Sequence, residues 1–127
     1  MQEELVITVK NTTPYAFILL DGFVNMETSY QLSKVIEQIS LDHEVSRYIF
    51  DLTKMGYISS AGIGLFMDLW EKTSQKKGGI CFINIQPSVR RVFELVGFMK
   101  FFGDAGSLDM AKNFFNINEN ISETEGA

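Results

Sequence analysis

The chain reads as one α/β domain, a mixed sheet of four to five strands carrying about four helices. Three observations predict this. Two strand-like segments near the start are joined by a turn and should pair as an antiparallel hairpin. Beyond them, helical and strand-like periodicities alternate, as expected when strands are added in parallel through helical crossovers. The apolar content is 46%, with 13% aromatic, over 127 residues. That suffices for a single core without disulfides or a structural metal.

The elements follow in order. Residues 5–9 (Leu-Val-Ile-Thr-Val) and 15–20 (Tyr-Ala-Phe-Ile-Leu-Leu) are rich in β-branched and aromatic side chains, with Asn11-Thr-Thr-Pro14 as the turn between them. Thr8 and Lys10 place one side of the first strand in water. Asp21-Gly22-Phe23-Val24-Asn25 leads to a helix over 28–41, where Leu32, Val35, Ile36 and Ile39 form one buried face. Residues 47–52 (Arg-Tyr-Ile-Phe-Asp-Leu) are a nearly continuous apolar run, which predicts a central strand covered on both faces. A loop is expected from Thr53 to Tyr57. Ser59-Ser60 then opens a second helix, since a serine there can accept from an unpaired backbone N–H. This helix runs to about Gln75 and stops at Lys76-Lys77-Gly78-Gly79.

Residues 80–85 read as another buried strand. Pro87 and Ser88 start a third helix with Val89, Val92, Phe93 and Val96 on one face and Gly97 as its C-terminal cap. A short last strand is expected within 98–102 and a last helix over 107–116. The domain is drawn as residues 1–116, followed by an acidic tail, 117–127, expected to be disordered.

Charge and composition narrow the function. A net charge of -5 argues against nucleic acid or an anionic membrane as the main partner, since both favour a basic surface. The single cysteine, Cys81, excludes an intrachain disulfide and suits a reducing cytosol. The acidic start lacks a secretory pattern, and the longest apolar run is too short to span a bilayer. A cytoplasmic location is expected, and the Asn120-Ile-Ser122 sequon carries no meaning there.

Catalytic patterns are absent. His43, the only histidine, lies in a polar stretch and reads as a solvated surface residue. One Cys and one His cannot build a structural zinc site, so neither metal nor cofactor is expected. There is no G-x-S-x-G elbow and no P-loop spacing. Gly62-Ile-Gly64 lacks the third glycine of a dinucleotide fingerprint.

Residues 51–64, Asp-Leu-Thr-Lys-Met-Gly-Tyr-Ile-Ser-Ser-Ala-Gly-Ile-Gly, stand out instead. Two hydroxyls sit at a helix start beside two glycines. Free backbone N–H groups and the helix dipole favour a phosphate there, and glycines let a partner approach closely. A plain alternative makes the serines caps and the glycines packing devices. The second helix also carries Ala61, Ile63, Leu65, Phe66, Met67, Leu69 and Trp70 round more than one face. The excess is either core against a neighbouring helix or an interface patch beside the serines.

Asp51-Leu-Thr, Tyr57-Ile-Ser-Ser-Ala-Gly-Ile-Gly64, Gly79-Ile-Cys-Phe-Ile-Asn84 and Pro87-Ser-Val-Arg-Arg-Val-Phe-Glu-Leu-Val-Gly-Phe98, in this order, resemble the STAS domain of bacterial anti-sigma-factor antagonists. The resemblance covers roughly residues 4–115. It implies a non-enzymatic switch: the chain binds an anti-sigma factor that is also a serine kinase, is phosphorylated and released, and is reset by a PP2C-type phosphatase. Aligned on Gly62 and Gly64, the family's phosphoacceptor falls on Ser60, with Ser59 as fallback. The usual aspartate is Ser59 here, and the second hydroxyl is Ala61. Gly22-Phe-Val-Asn25 resembles a family loop near the partner, with Asn25 replacing an acid. The implied partner-binding set is Gly22, Asn25, Ser59, Ala61, Gly62, Ile63, Gly64 and Met67.

Three other readings compete. Asp51, at the end of a buried strand, could be a receiver-type phosphoaspartate, although the first two strands offer only Asp21 for magnesium. A STAS-like adaptor subunit of a transport or signalling complex would share the fold. A nucleotide site would have to use Lys54, Ser59 and Gly62.

Overall fold

A single mixed sheet of five strands is ordered as they occur in the chain. The computed structural model describes residues 4–11, 13–42 and 44–117. Strand β1 (Leu5–Asn11) pairs antiparallel with β2 (Ala16–Val24), completing the expected hairpin. Helix α1 (Met26–Ser40) crosses to β3 (Arg47–Ile58), α2 (Ser60–Ser74) to β4 (Gly79–Ile83), and α3 (Pro87–Leu95) towards β5 (Gly103–Ala105). Strands β2 to β5 are parallel, and α4 (Leu108–Phe114) closes the described fold. Thr12 of the turn, His43 and the sequon lie outside the described residues, as does the tail from 118 onward. Ile117, counted with the tail on sequence grounds, is buried.

Adding parallel strands in one direction through crossovers of one hand puts every crossover helix on the same face. The packing follows that rule. Leu32, Ile36 and Ile39 of α1, Phe66 and Leu69 of α2, and Val89 and Phe93 of α3 share one core with Ile18, Leu20, Phe50, Leu52 and Phe82 of the sheet. A smaller core on the opposite face gathers Ile49, Cys81, Ile83, Ala105, Ala111 and Ile117 under α4. Neighbouring β3 residues Ile49 and Phe50 therefore belong to different cores, as a strand buried on both sides requires. No helix among the described residues is long and apolar enough to cross a membrane.

Several boundaries differ from the sequence reading, among them that of β2, read as 15–20 and found over Ala16–Val24. The segment read as a loop, Thr53–Tyr57, continues β3 and pairs with β2 as far as Val24↔Ile58. Two register shifts, between Leu19 and Asp21 and between Gly22 and Phe23, break the alternation that would have revealed it. The expected strand within 98–102 is a 3₁₀ turn, Phe98–Phe101, entered through left-handed Gly97 (φ 69°), and the strand follows it. Val96 ends α3 outside the buried face and is exposed.

Burial weakens two acids on this fold. The Cys81 thiol is pushed up to about 12, chiefly by burial and secondarily by Asp104. Burial alone pushes Tyr48 up to about 12. In the unfolded chain these groups ionise near 9.0 and 10.0. The folded state therefore holds protons that the unfolded state releases, so stability falls as pH rises from about 9 towards 12. Each group removes on the order of 2–4 kcal/mol across that window. Urea midpoints should hold up to about pH 8.5 and then decline, and Cys81→Ala should flatten the first part of the decline.

Candidate functional site

The crossover helices begin where the parallel strands end, so the starts of α1, α2 and α3 gather along one edge. Sheets of this kind place ligands and partners at that edge. The helix starts also direct unpaired N–H groups and positive dipole ends there.

Asn25 caps α1 through a reciprocal box. Its Oδ1 accepts from the Thr28 N–H at 2.9 Å, and its own N–H donates to Thr28 Oγ1 at 2.8 Å. Thr28 Oγ1 in turn donates to the Phe23 carbonyl at 2.7 Å. Asn25 therefore holds the β2–α1 corner in shape, and its side chain is only half-buried. Gly22 has φ +131°, and a Cβ there would stand 2.2 Å from the Glu4 carbonyl oxygen. Both the conformation and the close approach of β1 require glycine at this position.

Ser59 is the N-cap of α2. Its Oγ accepts from the Gly62 N–H at 3.4 Å, and its own N–H donates to the Val24 carbonyl at 2.8 Å. Ser59 is half-buried, whereas Ser60, the first helical residue, is exposed. The outward ridge of α2 continues through Gly64, Asp68 and Glu71. Its inward line is Gly62, Phe66, Leu69 and Thr73.

The two glycines, read together from sequence as room for a partner, do different work. A Cβ on Gly62 would lie 2.7 Å from both Ile58 Cγ1 and Val24 Cγ1, so this glycine lets α2 settle on the ends of β2 and β3. A Cβ on Gly64 would meet nothing within 4 Å. Gly62→Ala should therefore cost about 1–3 kcal/mol by overpacking. Gly64→Ala should stabilise the helix by about 0.5–1 kcal/mol. Paired thermal melts check this, and equal shifts for the two variants would contradict the assignment.

Ala61, Ile63 and Met67 are half-buried. Ile63, Leu65, Met67 and Trp70 pack against the main core, and Trp70 meets Phe101 edge-on at 4.9 Å. The apolar excess of α2 is thus largely consumed inside the fold. The exposed apolar surface at this edge comes from residues that sequence reasoning missed. Phe23 (38% exposed) and Tyr57 (49%) are register partners at the ends of β2 and β3, and Met26 (78%) opens α1. The Phe23 and Tyr57 rings meet edge-to-face at 6.0 Å. Reading both as loop residues concealed the pairing; Leu52, Met55 and Ile58, spaced by three, were the signal of a bulged strand in between.

The competing sites do not assemble. Asp51 lies within β3, well before its end, and its Oδ1 is engaged by the Thr53 hydroxyl at 2.6 Å and the Thr53 N–H at 3.0 Å. The receiver reading needs this carboxylate at a strand end, and β3 does not put it there. Lys54 on β3 stands opposite Asp21 on β2 in the strand register. Gly62 is buried with its N–H turned to the Ser59 hydroxyl, so that amide is already engaged within the chain. Among the described residues, no three metal-ligating side chains come together.

Comparison with known proteins agrees with this architecture. The model of the STAS domain family matches residues 6–122. BtrV of Bordetella bronchiseptica, named as a candidate anti-sigma factor antagonist, is 32% identical over 96 residues, covering 76% of this chain and 82% of BtrV. The anti-sigma factor antagonist SpoIIAA in its unphosphorylated form superposes with a TM-score of 0.76 at 20% identity, over 89% of this chain and 99% of that one. An anti-sigma factor antagonist from Mycobacterium paratuberculosis gives 0.76 at 22% identity, over 87% and 92%.

Proposed function

Since the chain belongs to the STAS domain family, we propose that it is a cytoplasmic anti-sigma factor antagonist, a non-enzymatic switch controlled by phosphorylation of Ser60. Its partner is an anti-sigma factor that is also a serine kinase, and a PP2C-type phosphatase restores the free form. The observation that carries this reading is the exposed Ser60 at the start of α2, on the same edge of the sheet as the exposed Phe23, Met26 and Tyr57.

Each part has a physical role. Aromatic and methionine side chains supply the desolvated centre of a protein interface. Gly64 lets the partner's backbone come close to the α2 ridge. Ser59 is engaged in capping, which favours Ser60 as acceptor. A phosphate on Ser60 would carry roughly -1.5 to -2 charges. At a helix start that charge is tolerated by the free chain. Against an apolar partner surface it must be desolvated without a counter-ion, which opposes docking.

Incubating the chain with ATP and the candidate kinase, then mapping phosphate by mass spectrometry, tests the proposal. Phosphate should appear on Ser60 and vanish in Ser60→Ala. Transfer to Ser59 would move the acceptor by one residue. A stable complex with no transfer would leave a STAS adaptor without the switch.

A further inference from the structure

Strand β1 ends the sheet on one side, with only β2 beside it among the described residues. Along such a strand the main-chain polar groups of alternate residues turn outward. The Glu4 carbonyl oxygen faces Gly22 of β2, whereas the Leu5 carbonyl accepts from Gln31 Nε2 of α1 at 3.0 Å. Leu5, Ile7 and Val9 therefore direct their N–H and C=O groups away from β2. Gln31 covers one of these groups, and the Leu5 oxygen keeps a second lone pair. The side chains leave the strand open as well, with Val6 55% exposed and Val9 39%. An apolar edge of this kind is a template for another strand.

The order of charges along β1 selects that strand. Take an antiparallel copy of the same segment, related by a two-fold axis at Ile7. Ile7 then meets Ile7 of the second copy, Leu5 meets Val9, Val6 meets Thr8, and Glu4 meets Lys10. Glu4 and Lys10 are both exposed. Moving the axis by one residue, to Val6 or Thr8, preserves the hydrogen-bond alternation but parts Glu4 from Lys10. Lys10 is the residue that bulges from the β1–β2 ladder, so it also marks where the new ladder stops. We propose that a second copy of this chain adds its β1 antiparallel to the first, joining the two sheets across a two-fold axis at Ile7, with Glu4 of each copy opposite Lys10 of the other. A lysine on an edge strand ordinarily opposes pairing. Here it finds an acid on its own copy, so it discourages other strands and admits this one. The contact lies along the side of the sheet rather than at the helix starts, and it does not depend on the switch reading.

Sedimentation velocity of the whole chain over a concentration series tests the proposal. The parent should pass from monomer to dimer as concentration rises. Glu4→Lys and Lys10→Glu each set like charges at both ends of the ladder, and each alone should weaken self-association about tenfold or more. An equimolar mixture of the two variants restores opposite charges at both ends, so it should dimerise at least as tightly as the parent. The mixture also shows that both variants are folded. A parent that stays monomeric up to about 1 mM, dimerisation that neither variant weakens, or a mixture no tighter than its components would each overturn the proposal.

Discussion

A chain carrying Ser60→Asp should bind its anti-sigma partner at least about a hundredfold more weakly than the parent, while Ser60→Ala should bind as tightly and resist release by ATP. The magnitude follows from where the charge lands. Ser60 is exposed on the free protein, so aspartate there is solvated, and at the first turn of α2 it faces the favourable end of the dipole. A partner that covers the edge carrying Ser60, Phe23, Met26 and Tyr57 would bury that carboxylate. An unpaired buried charge costs about 3–5 kcal/mol, which spans two to three or more decades of affinity. Calorimetric titration of the three chains against the same partner measures it. The melting temperature serves as control: it should stay level or rise slightly in Ser60→Asp, separating a lost interface from a lost fold. Tight binding by Ser60→Asp would sink the electrostatic account.

Phe82→Ala should be the most damaging single core truncation, at about 3–5 kcal/mol. Phe82 is fully buried on β4, between α2 and α3. Its ring neighbours Phe66 at 5.1 Å, Phe102 at 5.2 Å, Phe93 at 5.4 Å, Phe50 at 6.0 Å and Phe98 at 6.4 Å. These rings come from β3, α2, α3 and the turn beyond it, so the void cannot be closed by moving any one of them. A loss of that size is a large share of the roughly 5–15 kcal/mol that holds a domain folded. Tm should fall on the order of 15 °C, with Phe82→Leu well under half as harmful. Phe114, half exposed on α4, supplies the contrast: Phe114→Ala should cost about 1 kcal/mol or less. Equal losses at Phe82 and Phe114 would mean that the two cores are not arranged as described.

The parts legible in the sequence were those governed by local rules. Pro14 and the β-branched runs marked the hairpin, Leu32, Ile36 and Ile39 the inner face of α1, and Ser59 the start of α2. Pro87 and Gly97 bracketed α3. What escaped depends on contacts between distant segments. The bulges of β3 are settled by its register against β2, so Phe23 and Tyr57 could not be seen as partners. Trp70 looked available until Phe101, far along the chain, covered it. Gly62 and Gly64 are chemically identical in a string of letters, and only the nearness of Val24 and Ile58 to one of them tells them apart.

The Ser59 amide closes on the Val24 carbonyl, immediately before the capped corner at Asn25. One hydrogen bond thus couples the first turns of two helices more than thirty positions apart in the chain. Chemistry on the second helix should be audible in the first: the amide resonances of Met26 to Ser29 ought to move whenever Ser60 changes its charge. They would give a built-in spectroscopic reporter, readable without a label on the modified segment.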